Sequence, residues 1–515
     1  MRFRILTSAV CLLASSASAD PLWVRTYNGP TSLSDHSCDI EVDDSGNVLV
    51  CGLSYVDDTS TEFVTIKYRP DGDTAWVRRF DSDAFVDAAT ALALDRSGNV
   101  IVAGYRIASE YEDWATIKYS PDGDSLWVVF HSGGDMNRTS FIAVDSGGNS
   151  YVTGWTADWY YWFYHVVKYD SAGDFVWEYS QRTGRNGYSR AVTVDRQGYC
   201  YVTGGEPVQR EPIVTCKIGL DGQEVWVSEV LEGSARAIAV DDSGNVVVAG
   251  LTHGVGGYDD YITLKIGPDG DTVWTRSYDG LCTRFDRLSD LALDAAGGVY
   301  VTGTSDVDTV HFNCVTIKYS PEGEERWVAR YAGPMDFDHG LAIAVDANSD
   351  VYVTGNSLNS ADTWDAVTIK YDSAGNQVWL DRYDHPGSRE SASLIALGPD
   401  RSVFVGGGTQ VEGHGWDCMT LKYAPVGGVV GATPQVGRYR PRPTIVRGLL
   451  MYQPTANSSQ LTAGLVDITG RRVMELQPGV NDIRHVAPGV YFVREEEPRG
   501  QGVGDSSVRK VILTR

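Results

Sequence analysis

The sequence predicts an all-β chain: a closed ring of four-stranded repeat units followed by a small Ig-like β-sandwich. Three spacings carry that expectation. First, a lysine recurs at Lys67, Lys118, Lys168, Lys217, Lys265, Lys318, Lys370 and Lys422, which leaves only Lys510 elsewhere. A glycine stands five residues after each, and a tryptophan stands nine after each of the first seven: Trp76, Trp127, Trp177, Trp226, Trp274, Trp327 and Trp379. Second, an aspartate precedes a closing glycine by nine residues, from Asp43–Gly52 through Asp346–Gly355; Gly398–Gly407 keeps the spacing without the acid. Third, Trp23 stands alone before the first lysine phrase, and the eighth lysine is followed by "APVGGVVGATP" with no tryptophan.

The elements follow in chain order. "MRFRILTSAVCLLASSASAD" has Arg2 and Arg4, an apolar stretch from Ile5 and small residues ending at Ala19. That is the pattern of a cleaved signal peptide over residues 1–19, too short and wrongly flanked for a membrane span. No later run reaches membrane length, so no transmembrane segment is expected.

Each repeat then holds four short strands: A like "ALALD", B like "NVIVAG", C like "WATIKY" and D like "SLWVVF". Four strands in about fifty residues, repeated, make propeller blades. The turns fit: in "SPDGD" Pro121 presets φ and Gly123 takes the left-handed position, and in "DRSGN" Asp95 bonds back onto its own turn. The glycines are thus backbone requirements, and no GxxxxGK phosphate loop is present. A propeller must close to avoid a bare edge. If residues 22–28 supply strand D of the last unit, beside the strand at Thr420–Tyr423, each strand type occurs eight times. The expectation is an eight-bladed β-propeller over residues 22–423, with seven blades as the alternative. The lysine phrase is then its C–D hairpin, and its lysines and tryptophans are structural. Each lysine stem is expected to pack between blades, with its ammonium on a carboxylate or carbonyl such as the A–B turn aspartate.

Residues 424–444, rich in Pro, Gly and Arg, read as a linker. Residues 445–515 alternate like a small β-sandwich. Residues 436–515 hold twelve Arg or Lys against seven Asp or Glu, a net of +5, so the rest carries −30 of the total −25. That asymmetry marks a separate module. The overall negative charge disfavours a nucleic-acid partner. Past the leader seven cysteines remain, an odd number, none in a CxxC pair. They read chiefly as small buried hydrophobes. Cys38 with Cys51, and Cys200 with Cys216, fall on neighbouring strands where a bridge is open.

"DxxGNVYVTG" with "TIKYxxxGxxxW" resembles the bacterial SBBP-type β-propeller repeat over roughly residues 22–427. That family's name implies seven blades, whereas the spacing counts eight. The pattern is also similar to quinoprotein dehydrogenases, but their adjacent cysteines are absent, and no cofactor is expected. "DITGRRV" (Asp467–Val473), "APGVYFVR" (Ala487–Arg494) and "RKVILTR" (Arg509–Arg515) resemble the C-terminal sorting domain of type IX secretion substrates. The usual Asn-Pro-rich opening is replaced by "RGLLMYQPTANSS". The resemblance implies export through the periplasm to the outer surface or medium, with the secretion machinery as partner.

Neither GxSxG nor HExxH occurs, and no histidine pairs with His or Cys at ligand spacing, so no catalytic, cofactor or metal residue is expected. "HGVGGYDD" (His253–Asp260) reads as a connection. The A–B and C–D turns have constant length, whereas Trp to Gly spans 24 to 29 residues and Gly to Lys 13 to 15. Variable loops on a rigid scaffold are where binding concentrates. The expectation is a surface binding or adhesion scaffold for a glycan or protein ligand. A polysaccharide-active enzyme and a structural surface-layer protein are the alternatives. The candidate patch is "GWTADWYYWFYH" (Gly154–His165), where Trp155, Trp159, Tyr160 and Tyr161 have no counterparts in most units. They form a ligand surface or a packed satellite cluster. Trp162 aligns with Trp364 and Trp416 and reads as packing.

Overall fold

The computed structural model describes residues 17–18 and 20–424, apart from 32, 109–110, 133–135, 158–161, 183–187, 206–211, 255–256, 283, 362, 386 and 412–414, and beyond them seven short strands between Thr444 and Leu513. Every described element is a strand, and the chain divides at Val426/Gly427 into two compact units.

In the first unit the predicted A-B-C-D meanders form antiparallel blades, named here by their lysines. The Lys67 blade comprises Asp35–Val42, Val48–Tyr55, Thr61–Tyr68 and Thr74–Phe80, with Cys51 opposite Thr65 and Lys67 opposite Trp76. Strand B is buried along nearly its whole length, as in Val48–Tyr55 and Val351–Leu358, because both of its faces lie in packed layers. Its runs of Val, Ile and Tyr suit that two-sided burial. Strand D is half-exposed, as in Ser125–His131, and forms the outer edge, except that Ala17–Ser18 pairs in parallel outside Gln377–Tyr383 of the Lys370 blade. The A strands pack one against the next, and the circuit closes where Ser388–Leu397 meets Asp35–Val42. Trp23–Tyr27 is the outer strand of the Lys422 blade, with Trp23 opposite Lys422 and Tyr27 opposite Cys418.

One connection differs from expectation. Glu224–Val240 is a single 17-residue strand that serves as strand D of the Lys217 blade and strand A of the Lys265 blade. This is where the tryptophan-to-glycine spacing is shortest, 24 residues from Trp226 to Gly250, so no length remains for a loop. All seven described cysteines are free, and both open pairings above are unbridged. Five are buried, while Cys38 and Cys282 are partly exposed.

The second unit holds a five-stranded sheet, in which Gly489–Glu496 lies between Val508–Leu513 and Thr462–Asp467, and a two-stranded pair of Leu449–Tyr452 with Gly479–Asp482. Of the sorting-type motifs, residues 468–471 of "DITGRRV", 487–488 of "APGVYFVR" and 514–515 of "RKVILTR" lie outside the described residues.

Buried carboxylates pin the variable connections. Asp35, Asp286 and Asp338 accept the backbone N–H of Gly29, Gly280 and Gly333 at 2.7, 2.7 and 2.6 Å, and Asp87 accepts that of Ser82 at 3.0 Å. Along strand A, Asp39 accepts Leu92 N–H of the next blade and Asp290 accepts Ile343 N–H, both at 2.9 Å. Burial pushes Asp39, Asp286, Asp290 and Asp381 up to about 6. A carboxyl raised in the folded state stabilises it fully below the unfolded pKa and loses that contribution as pH rises through the folded one. The thermal midpoint should therefore rise as pH is lowered from 8 towards 5, because raised carboxyls outnumber the buried imidazoles, His165 foremost, that burial lowers and that oppose the rise. It should fall again below about 4, where the lowered Asp43, Asp95 and Asp241 begin to take protons. Calorimetry across this range checks it; a midpoint falling steadily from pH 8 to 5 contradicts it.

Candidate functional site

On the face of the A–B and C–D turns, the repeated phrase is a latch between blades. Every repeat tryptophan but Trp379 donates its indole N–H to a carbonyl in the next blade's C–D turn. Trp23 reaches Pro70 O at 3.1 Å, Trp76 reaches Pro121 O at 3.0 Å, Trp127 reaches Ser171 O at 3.3 Å and Trp177 reaches Leu220 O at 3.0 Å. Trp226, Trp274 and Trp327 repeat this to Pro268, Pro321 and Ser373. The indole also lies on the turn glycine. A Cβ at Gly72 would stand 2.9 Å from Trp23 carbons, and its φ is +87°, so both space and backbone require glycine there. Among the described residues the buried Nε1 of Trp379 has no acceptor; the equivalent carbonyl, that of Pro425, lies outside them.

The lysines end on the same carbonyls: Lys67 on Pro121, Lys118 on Ser171, Lys217 on Pro268, Lys318 on Ser373 and Lys422 on Pro70, at 2.9–3.4 Å. Their second partner depends on strand B. Where that strand offers Leu49, Ile101 or Val247, the ammonium meets the A–B turn carboxylate directly: Lys67–Asp43 at 2.9 Å, Lys118–Asp95 at 2.9 Å and Lys265–Asp241 at 3.0 Å. Where it offers Tyr151, Tyr201, Tyr300 or Tyr352, the phenol donates to the aspartate, and Lys168, Lys217, Lys318 and Lys370 lie 4.7–5.3 Å over the tyrosine rings. Lys370 adds an ion pair to Asp350 at 2.7 Å. These charges are tied down, so this face is built for cohesion.

The opposite face gathers aromatics. Trp155 is half-buried and packs edge-on against Tyr188 of the next blade, ring centroids 5.4 Å apart at 85°. Arg190 lies 5.2 Å over Tyr188, and Arg138 pairs with Glu112 and lies 5.1 Å over Tyr105. Trp159, Tyr160 and Tyr161 lie outside the described residues, and Trp162 is described only through its backbone. Sequence reasoning missed a second group: Phe337, Phe312, His339 and Trp364 form a run of partly exposed rings, with centroids 5.1, 4.6 and 5.4 Å apart in succession.

It also missed a histidine pair. His131 closes strand D of the Lys118 blade, and His165 and Glu178 lie on strands C and D of the Lys168 blade. The two Nε2 atoms are 3.2 Å apart, and Glu178 Oε2 is 3.6 Å from His131 Nε2 and 3.7 Å from His165 Nε2. His165 Nδ1 bonds Ser180 Oγ at 2.8 Å. The Trp114 ring walls the pair, 5.7 Å from His131 and 5.4 Å from His165. Burial lowers both imidazoles, His165 to about 4, so both are neutral near pH 7. The available signal was departure from the repeat, not ligand spacing. The position of His165, three before the lysine, holds Val64, Ala115, Val214, Ile262, Val315, Val367 and Met419 elsewhere. That of Glu178, one after the tryptophan, holds Val24, Val77, Val128, Val227, Thr275, Val328 and Leu380.

No family model matches the chain. Over 162 residues it is 25% identical to the uncharacterized WD repeat-containing protein L264 of Acanthamoeba polyphaga mimivirus, a match covering 28% of this chain and 11% of that protein's length. Among solved structures, Sqt1 from Chaetomium thermophilum superposes with a TM-score of 0.51 at 12% identity, over 79% of this chain and 99% of that one. The structure of the Dos1 propeller gives 0.48 at 8% identity, over 79% and 96%. The strand order above makes the chain a β-propeller repeat protein, and the likeness to Sqt1 is one of fold alone. No described helix is long and apolar enough to cross a membrane.

Proposed function

We propose that the chain is an exported binding scaffold: an eight-bladed propeller closed by Trp23–Tyr27 that presents its variable-loop face to a glycan or protein ligand at or beyond the cell surface. The observation that carries this reading is the contrast between the two faces. On one, lysines, tryptophans and turn carbonyls satisfy each other blade after blade. On the other, loop lengths vary and half-exposed rings gather, Trp155 with Tyr188 under Arg190, and Phe337 and Trp364 about Phe312 and His339. Aromatics with adjacent polar groups suit sugar rings and peptide side chains, which they contact over a large area at little entropic cost. The leader-like residues 1–19 and the sorting-type motifs after residue 445 support export through the periplasm, the C-terminal unit being a sandwich read by the secretion machinery. Pairing of Trp23–Tyr27 with Trp416–Tyr423 supports the count of eight.

The test uses the full chain and a version ending at residue 444, expressed in a host with that secretion system. The shortened chain is expected to fold and stay in the periplasm; normal surface delivery would overturn the sorting role. The exported protein is then applied to glycan and peptide arrays, with a parallel polysaccharide-hydrolysis assay. Trp155→Ala is expected to weaken the strongest hit by about 10-fold or more, on the scale of a modest hot spot, with the unfolding midpoint little changed. Turnover of a polysaccharide, or binding indifferent to both Trp155→Ala and Trp364→Ala, overturns the reading.

A further inference from the structure

We propose that His131, His165 and Glu178 form a binding site for a divalent transition-metal ion of the zinc type, set between the outer strands of the Lys118 and Lys168 blades. Two nitrogens each about 2.05 Å from one zinc at the tetrahedral angle lie about 3.3 Å apart. The imidazole Nε2 atoms stand at 3.2 Å. The carboxylate oxygen, at 3.6 and 3.7 Å, completes a triangle that closes to ligand distance with a few tenths of an ångström of side-chain movement. Glu178 is half-exposed and free to make that movement, whereas the histidine side chains are only 14% and 6% exposed. Two neutral nitrogens and one carboxylate leave a fourth position open on the solvent side, the arrangement of a three-ligand zinc site.

The surroundings fix the ligands as a metal site needs. His165 Nδ1 is engaged by Ser180 Oγ at 2.8 Å, which directs its Nε2 at the ion. Trp114 is fully buried and holds both imidazoles against rotation. The fold itself does not call for this triad. Elsewhere in the ring the counterparts of His165 are Val, Ala, Ile and Met, those of Glu178 are Val, Thr and Leu, and those of His131 are Tyr27, Phe80, Gln181, Val230, Tyr278, Tyr331 and Tyr383. Three departures to ligand types converge on one point, from three strands and two blades. Burying an imidazole where valine serves elsewhere has a desolvation cost that a bound cation would offset.

The test uses the full mature chain without an affinity tag, stripped with a chelator and dialysed. It is titrated with Zn2+ against a chromophoric chelator, and separately with Co2+ as a spectroscopic probe. One equivalent of each is expected to bind, Co2+ giving intense visible d–d bands of low coordination number and no thiolate charge-transfer band. His165→Val, the residue most common at that position in the ring, is expected to fold normally and weaken zinc binding by more than about 100-fold; Ser180→Ala should weaken it by about 10- to 100-fold. Glu178→Gln, on the exposed ligand, serves if the valine variant does not fold. Failure of the parent to retain one equivalent, unchanged affinity in His165→Val and Glu178→Gln, or a cobalt–thiolate band overturns the proposal.

Discussion

Removal of residues 20–28 is expected to open the ring. Trp23–Tyr27 is the outer strand of the Lys422 blade, but no peptide bond joins it to that blade. It is held by its ladder, by Trp23 and by Arg25. Trp23 is 9% exposed and packs against Tyr68 and Phe404, centroids 6.1 and 5.9 Å away. Its Nε1 and Lys422 Nζ converge on Pro70 O, and Arg25 donates to Gly72 O at 2.5 Å. Trp23, Arg25 and Lys422 thus tie the last blade to the first. Trp23→Ala should cost about 3–5 kcal/mol, the range for truncating a buried tryptophan. Trp327→Ala removes a similar ring where the strand remains covalently in its own blade, so it should leave the protein closed. Deletion of residues 20–28 also bares Trp416–Tyr423 as an unpaired edge, and self-association should follow. Urea midpoints and light scattering on the three variants measure this. A monomeric deletion variant with the parent's midpoint would show that the ring does not depend on this strand.

Much of this architecture was legible because it repeats. A lysine, a glycine five residues on and a tryptophan nine on, copied along the chain, cannot be a set of separate sites. The misplaced Trp23 pointed to a strand that had to travel to the other end. The acceptor of each indole was not legible, because Pro70, Pro121 and Ser171 act through backbone carbonyls and share no side-chain chemistry. The switch between direct Lys–Asp pairs and tyrosine-relayed ones was visible in strand B as Leu49, Ile101 and Val247 against Tyr151, Tyr201, Tyr300 and Tyr352, but its meaning required the geometry. The His131–His165 pair escaped a search for local ligand spacing because its members lie 34 residues apart on different blades. Blades bring such positions together laterally, so departures from the repeat find them where sequence distance does not. Trp159, Tyr160 and Tyr161 are departures of the same kind in the sequence and lie outside the described residues.

The same switch predicts that chemically identical lysine replacements differ in cost from blade to blade. Lys118 and Asp95 are 3% and 6% exposed in their side chains and 2.9 Å apart, with Ile101 alongside offering no polar atom. Lys118→Met leaves Asp95 with Asn99 and the turn amides, but without the cation that helps hold its carboxyl below the usual range. Breaking a buried pair from one side costs about 3–5 kcal/mol. In the Lys318 blade, Tyr300 Oη donates to Asp294 at 2.8 Å and Ser349 Oγ at 3.1 Å, while Lys318 stands 4.0 Å off and is 16% exposed. Lys318→Met therefore leaves a carboxylate already served by two hydroxyls. It forfeits chiefly a cation–π contact and one weak carbonyl bond, about 1–2 kcal/mol. Asp95→Asn keeps the turn's acceptor oxygen while removing the charge, so Lys118→Met with Asp95→Asn should recover part of the loss; Asp294→Asn should recover little in Lys318→Met. Equal costs for the two lysine variants in urea titrations, or no recovery in the first double variant, would mean that the ammonium acts through its turn carbonyl alone and that strand B does not set its worth.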